Sequence, residues 1–118
     1  YNVYWWRSRY SCYYRSTIAI MSFQCISIEE AKIIIDKDNL TIIDIRDRNS
    51  FLNGHIDKAI HVEDLDIDNF LKDKNKNDTI LIYCYHGNSS KSAANFFVQH
   101  GFEKVLSMDE GYSGWIKD

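Results

Sequence analysis

Cys84-Tyr85-His86-Gly87-Asn88-Ser89-Ser90 is the stretch of this chain whose residue types and spacing could do chemistry. It follows the apolar run Thr79-Ile80-Leu81-Ile82-Tyr83 and precedes a segment, Ser90 to His100, patterned as a helix. A buried strand thus delivers a thiol to a short polar loop and a helix N-terminus. The thiolate, not the thiol, is the nucleophile. Unpaired N–H groups and the dipole at a helix N-terminus favour an anion. Gly87 and Asn88 are residue types that tolerate left-handed backbone, so the amides from Tyr85 to Ser90 can turn inward as an anion nest. Such a nest would favour the thiolate of Cys84 and hold an anionic substrate or a sulfur-bound anion. The hydroxyls of Ser89 and Ser90 are expected to add hydrogen bonds, and Lys91 positive potential. His86 joins the nest through its amide, while its ring reads as solvent-facing. Cys84 and His86 alone are too few ligands for a metal site.

The same physics serves cysteine phosphatases, whose Cys-x5-Arg loop clamps phosphate with a planar, doubly bonded guanidinium. Here position 90 is serine, and residues 84–100 contain no arginine. Serine cannot supply that charged fork, so hydrolysis of phosphate monoesters lacks its main electrostatic stabiliser.

Elements that could position the thiol alternate along the chain from Met21. Phe23 to Ile26 reads as a strand, with Cys25 expected in the core. Ser27 and Glu30 have capping-box spacing, and Ile28, Ala31, Ile34 and Ile35 repeat at helical period. Leu40 to Ile45 is continuous and β-branched, as in a buried strand. Asp47 can cap a short helix through Phe51 and Leu52 that stops at Gly54. Ala59 to Val62 suggests a short strand, Leu65 to Leu71 a small amphipathic helix, and Lys72 to Asp78 a solvated loop. After the central strand and the helix to His100, with Ala93, Ala94, Phe97 and Val98 facing inward, Lys104 to Leu106 forms a last strand. Tyr112 to Trp115 begins a final helix. Strands that alternate with helices and are apolar on both faces predict an α/β domain with a mostly parallel sheet covered by helices. Ligands bind such sheets at the carboxyl ends of the strands, where Cys84 sits.

A length of 118 residues and a hydrophobic fraction of 45% suit one domain with one ordinary core. A net charge of -3 favours neither nucleic acid nor an anionic membrane as partner. No apolar run approaches a membrane span. Three cysteines, with no Cys-x-x-Cys, fit a reduced, cytoplasmic protein. Residues 1–20 differ from the rest: they carry Arg7, Arg9 and Arg15, no acid, and seven of the 17 aromatics. They are expected to be an atypical extension, disordered or extraneous, with the domain spanning 21–118. The alternatives are a packed N-terminal element and an aromatic, basic arm that stacks on single-stranded nucleic acid; the second is the less favoured. The remaining 11 basic and 17 acidic residues offer it no basic groove.

Three segments together resemble the rhodanese-domain family and span Met21 to Asp118. Asp44, Arg46, Phe51, Gly54-His55-Ile56 and Ala59 match its motif of Asp-x-Arg, an aromatic, Gly-His-Ile and Ala. The loop of six residues from Cys84 to Ser89 is similar to that of sulfurtransferases, and its wording is closest to the single-domain thiosulfate sulfurtransferases. Gly111-Tyr112-Ser113-Gly114-Trp115 is similar to the family's Gly-aromatic-x-x-Trp ending. The resemblance implies a five-stranded central sheet and a ping-pong cycle that needs no cofactor. Cys84 would take the outer sulfur of thiosulfate and pass it to cyanide or to a thiol such as reduced thioredoxin. The backbone of Tyr85, His86, Gly87, Asn88, Ser89 and Ser90 would bind the substrate. Asp44, Arg46, His55 and Trp115 read as structural.

Two departures stand out. Asp57 replaces the proline that often follows Gly-His-Ile, which is expected to loosen that turn. Ser89 and Ser90 replace a basic residue near the loop's end, as in the single-domain branch, which weakens anion binding. That missing cation, with the small single domain, also motivates a non-enzymatic alternative: a sulfur-relay or binding module.

Overall fold

The computed structural model describes residues 23–116 except Asp38; the expectations for residues 1–20 lie outside the described residues. Five strands form one sheet: β1 (Gln24–Ile26), β2 (Leu40–Asp44), β3 (Ile60–His61), β4 (Thr79–Tyr83) and β5 (Lys104–Met108). Their spatial order is β1-β5-β4-β2-β3, and every pairing is parallel. Among the described residues, five α-helices connect or follow them: α1 (Ile28–Ile34), α2 (Arg48–Asn53), α3 (Ile67–Asp73), α4 (Ser89–Gln99) and α5 (Gly111–Trp115). No helix among the described residues is long and apolar enough to cross a membrane.

The central strand shows why the sheet needs two covering layers. Ile80, Leu81, Ile82 and Tyr83 are all fully buried. Successive side chains point to opposite faces. Ile80 and Ile82 join Ala93, Ala94 and Phe97 of α4 in one cluster, with Phe70 of α3 against it. Leu81 and Tyr83 join Ile28 and Ala31 of α1 in the other, where Tyr112 and Trp115 of α5 pack. Burying one such large apolar side chain stabilises by about 1.5–3 kcal/mol.

The local signals set the helix starts. Ser27 Oγ accepts the Glu30 N–H at 3.1 Å while the Glu30 carboxylate accepts the Ser27 N–H at 2.9 Å. Asp47 caps α2 by accepting the Ser50 N–H at 3.1 Å. The turn after Gly-His-Ile closes without proline: the Ala59 N–H donates to Ile56 O at 2.9 Å, and Lys58 takes the left-handed position at φ 73.

Three expectations change. Cys25 is exposed rather than core, because among the described residues β1 is an edge strand paired with β5 alone, and of its three residues Ile26 alone is buried. The third strand stops at His61, where the chain tightens into a 3₁₀ turn over Val62–Asp64. The third helix runs on to Asp73 under an Asp66 cap, into what reads as loop.

Candidate active site

Cys84 leaves the carboxyl end of β4, 7% exposed, and the backbone then bends over its sulfur. The Gly87 N–H donates to Sγ at 3.1 Å and the Ser90 N–H at 3.4 Å. Gly87 makes the bend possible at φ 93, a conformation that other residues rarely adopt. Of the amides expected between Tyr85 and Ser90, two point at the sulfur. The second belongs to the first turn of α4, so the helix N-terminus and the loop converge on one atom.

The side chains divide more sharply. Ser89 lines the cleft in front of Cys84, together with Ile45, Arg46, Asp47, Ser50 and Tyr85. This cleft measures about 630 Å³. The Ser90 hydroxyl is a correction: it is fully buried and paired with Ser107 Oγ at 2.7 Å, so Ser90 serves the thiol through its amide alone. Asn88 starts α4 with an exposed side chain that caps nothing. The exposed His86 ring stands edge-on to Tyr85, with Nδ1 3.5 Å from Ser113 Oγ. Lys91 is half-buried and lies outside the cleft lining, so it does not supply the expected positive potential there. A second cavity, of about 330 Å³, opens between the amino ends of the strands near Leu40, Thr79 and Lys104, remote from the thiol.

Two buttresses hold the loop. The first is α5, whose Tyr112 N–H donates to Cys84 O at 2.8 Å and whose Ser113 N–H donates to Tyr85 O at 2.9 Å. Gly111 permits that approach. A Cβ there would stand 2.4 Å from Cys84 O and 2.7 Å from the Tyr85 carbonyl carbon, at φ 58. Gly111→Ala is therefore expected to cost about 2 kcal/mol or more and to slow reaction at Cys84. Thermal denaturation and the rate of thiol alkylation check both parts, and a variant with wild-type stability would remove this role for α5.

The second buttress is a buried polar cluster under β2. Asp44 is fully buried. It accepts Arg46 Nη2 at 2.7 Å, the Arg46 N–H at 2.8 Å and the Tyr83 hydroxyl at 2.7 Å. Arg46 Nη2 also donates to Gly54 O at 2.7 Å, and its guanidinium lies 4.0 Å from the Tyr112 ring centroid. The Tyr83 oxygen accepts the Ile56 N–H at 3.1 Å. Burial, reinforced by Asp44, pushes the Tyr83 phenol well above its ordinary value, so it stays a donor to that carboxylate. Asp44 and Arg46 thus have the structural partners expected of them. His55 stacks on Phe51 with ring centroids 3.8 Å apart, and Trp115 packs in the cluster of α1. Asp47 and Ser50 carry no sequence signal as cleft residues. They face Cys84 because β2 lies beside β4 in the sheet.

Chemically, this is a cysteine sulfur with two fixed N–H donors that faces an open cleft, and among the described residues the arginine of that cleft, Arg46, is engaged by Asp44. Comparisons agree with that reading of the fold. The family model described as rhodanese-like domain matches residues 27–118. Thiosulfate sulfurtransferase GlpE from Pseudoalteromonas translucida is 42% identical over 95 residues, covering 80% of this chain and 90% of that protein. The solution structure of a rhodanese-like domain from an Anabaena protein superposes with a TM-score of 0.64 at 26% identity, covering 78% of this chain and 72% of that one. A rhodanese-like domain protein from Staphylococcus aureus gives 0.66 at 23% identity, with 79% and 91% covered, a likeness of fold alone.

Proposed function

The chain belongs to the rhodanese-like domain family, and we propose that it is a thiosulfate sulfurtransferase that carries sulfur as a persulfide on Cys84. The single observation that carries this reading is the pair of N–H groups, from Gly87 and Ser90, both aimed at Sγ at the mouth of a cleft. In the first half-reaction the Cys84 thiolate attacks the outer sulfur of thiosulfate. The bond between the two thiosulfate sulfurs breaks, sulfite leaves with the electron pair, and Cys84 holds the persulfide. In the second, cyanide or a thiolate, such as that of reduced thioredoxin, attacks the terminal sulfur. The bond from Sγ to that sulfur breaks and the Cys84 thiolate returns. Electrons and atoms balance within the two steps, so the cycle needs no cofactor.

The charge that the protein holds between the two steps is a single one on the persulfide sulfur. Fixed backbone donors suit it, because they need no reorganisation as the anion moves outward by one atom. The amides of Tyr85, His86, Gly87, Asn88, Ser89 and Ser90 form the substrate-binding segment in this reading, with those of Gly87 and Ser90 hydrogen-bonded to the reacting atom. A reduced, cytoplasmic setting keeps such a thiol available.

Intact mass after incubation with thiosulfate tests the proposal. The protein is expected to gain one sulfur atom and to lose it on addition of cyanide. Absence of the adduct sinks the reading. Steady-state turnover with thiosulfate and a thiol acceptor then separates an enzyme from a relay module, which would take sulfur only from a protein donor.

A further inference from the structure

The wall opposite Cys84 begins where β2 ends. Two charged residues stand in it, Arg46 and Asp47. Arg46 spends its guanidinium on Asp44 and Gly54 O. The next cation along the chain, Arg48, is turned to Glu63 at 3.2 Å and Asp64 at 2.8 Å. Among the described residues the Asp47 carboxylate has no ion-pair partner within 4 Å, although the charge of Arg46 adds to its acidity. It is held in place by the Ser50 hydroxyl at 2.8 Å and the Ser50 N–H at 3.1 Å. These hydrogen bonds keep its carboxyl below the usual range, so it is ionised near neutral pH.

We propose that the Asp47 carboxylate sets the charge selectivity of the cleft, disfavouring multiply anionic sulfur donors and acceptors relative to neutral or cationic ones. Thiosulfate carries two negative charges and would share the cleft before Cys84 with this group. In a largely aqueous cleft, one carboxylate within a Debye length disfavours a dianion about two- to fivefold and a monoanion about twofold. The substrate class this favours is a thiol or persulfide whose reacting sulfur has no further anionic group beside it. The inference deepens the preceding proposal and rests on its premise that Cys84 reacts through this cleft.

Alkylation of Cys84 tests it without requiring sulfur transfer. Iodoacetate is anionic and iodoacetamide neutral, and both report on the same thiolate, so their rate ratio cancels its reactivity. Rates are measured at Cys84 by peptide mass spectrometry in wild type, Asp47→Asn and Asp47→Ser. Asparagine and serine cap helices about as well as aspartate, so α2 keeps its start while the charge goes. The iodoacetate-to-iodoacetamide ratio is expected to rise about twofold in both variants at low salt, and the difference to vanish near ~1 M salt. KM for thiosulfate is expected to fall by about two- to fivefold. An unchanged alkylation ratio, or a change that persists at high salt, overturns the proposal. So does a native Cys84 that neither reagent reaches. If the ratio shifts but no persulfide forms with thiosulfate, the sulfurtransferase reading fails and the charge filter stands. If the persulfide forms and the ratio stays put, the reverse holds.

Discussion

Cys84→Ser is expected to abolish sulfur uptake from thiosulfate while leaving the melting transition close to that of the wild type. A serine oxygen can still accept the Gly87 and Ser90 amides that now point at Sγ. The site is nearly closed to solvent, at 7% exposure, and the exchange changes volume by less than a methylene. A stability change within about 1.5 kcal/mol follows. The chemistry has no such tolerance. A hydroxyl at neutral pH is un-ionised and cannot store sulfane sulfur, so turnover should drop by at least about 10³-fold, to the assay background. Intact mass and steady-state turnover read the two effects separately. Residual uptake of one sulfur in the variant would move the reacting thiol elsewhere, to the exposed Cys25 or to Cys12 in the segment outside the described residues.

Arg46→Ala should produce the largest loss of stability. Asp44 has no exposure to solvent, and its carboxylate depends on Arg46 and Tyr83 for partners. Removing the guanidinium leaves a buried charge with one hydroxyl and one N–H donor, and it also strips Gly54 O of its donor. Breaking a buried pair in this way costs about 3–5 kcal/mol. For a domain of this size that lowers Tm by roughly 12 °C or more. The cluster joins β2, β4 and the chain before β3, so function should fall together with fold rather than before it. Arg46→Met combined with Asp44→Asn is expected to recover part of the loss, because the orphaned charge is gone as well. Thermal denaturation of the two variants checks this. A loss under about 1 kcal/mol for Arg46→Ala would mean that water or Tyr83 alone satisfies Asp44.

The elements that the sequence announces are those whose signals are local. The Ser27–Glu30 box, the Asp47 cap and the apolar run of β4 each specify themselves within a few residues, and the structure has all three. Misreadings arise where burial depends on a neighbour in space. Cys25 has the apolar context of a core residue, yet its strand sits at the sheet edge. Ser90 looks like an anion ligand because it closes the loop, yet the start of α4 turns its hydroxyl toward Ser107 of β5.

The same division runs through the site. Residue identity and spacing alone determined that a cysteine would end a buried strand, that a glycine-bearing loop and a helix N-terminus would follow, and that no arginine would stand six residues on. Those are covalent facts, and loop length and backbone preference convert them directly into a nest. Tertiary structure decided what faces the nest. The order β1-β5-β4-β2-β3 sets the end of β2 beside Cys84 and makes Asp47 and Ser50 a wall of its cleft. It also brings Gly111 against the Cys84 carbonyl from 27 residues away in the chain. Strand order follows from how both faces of the whole sheet are covered, a sum over distant contacts that no window of residues contains.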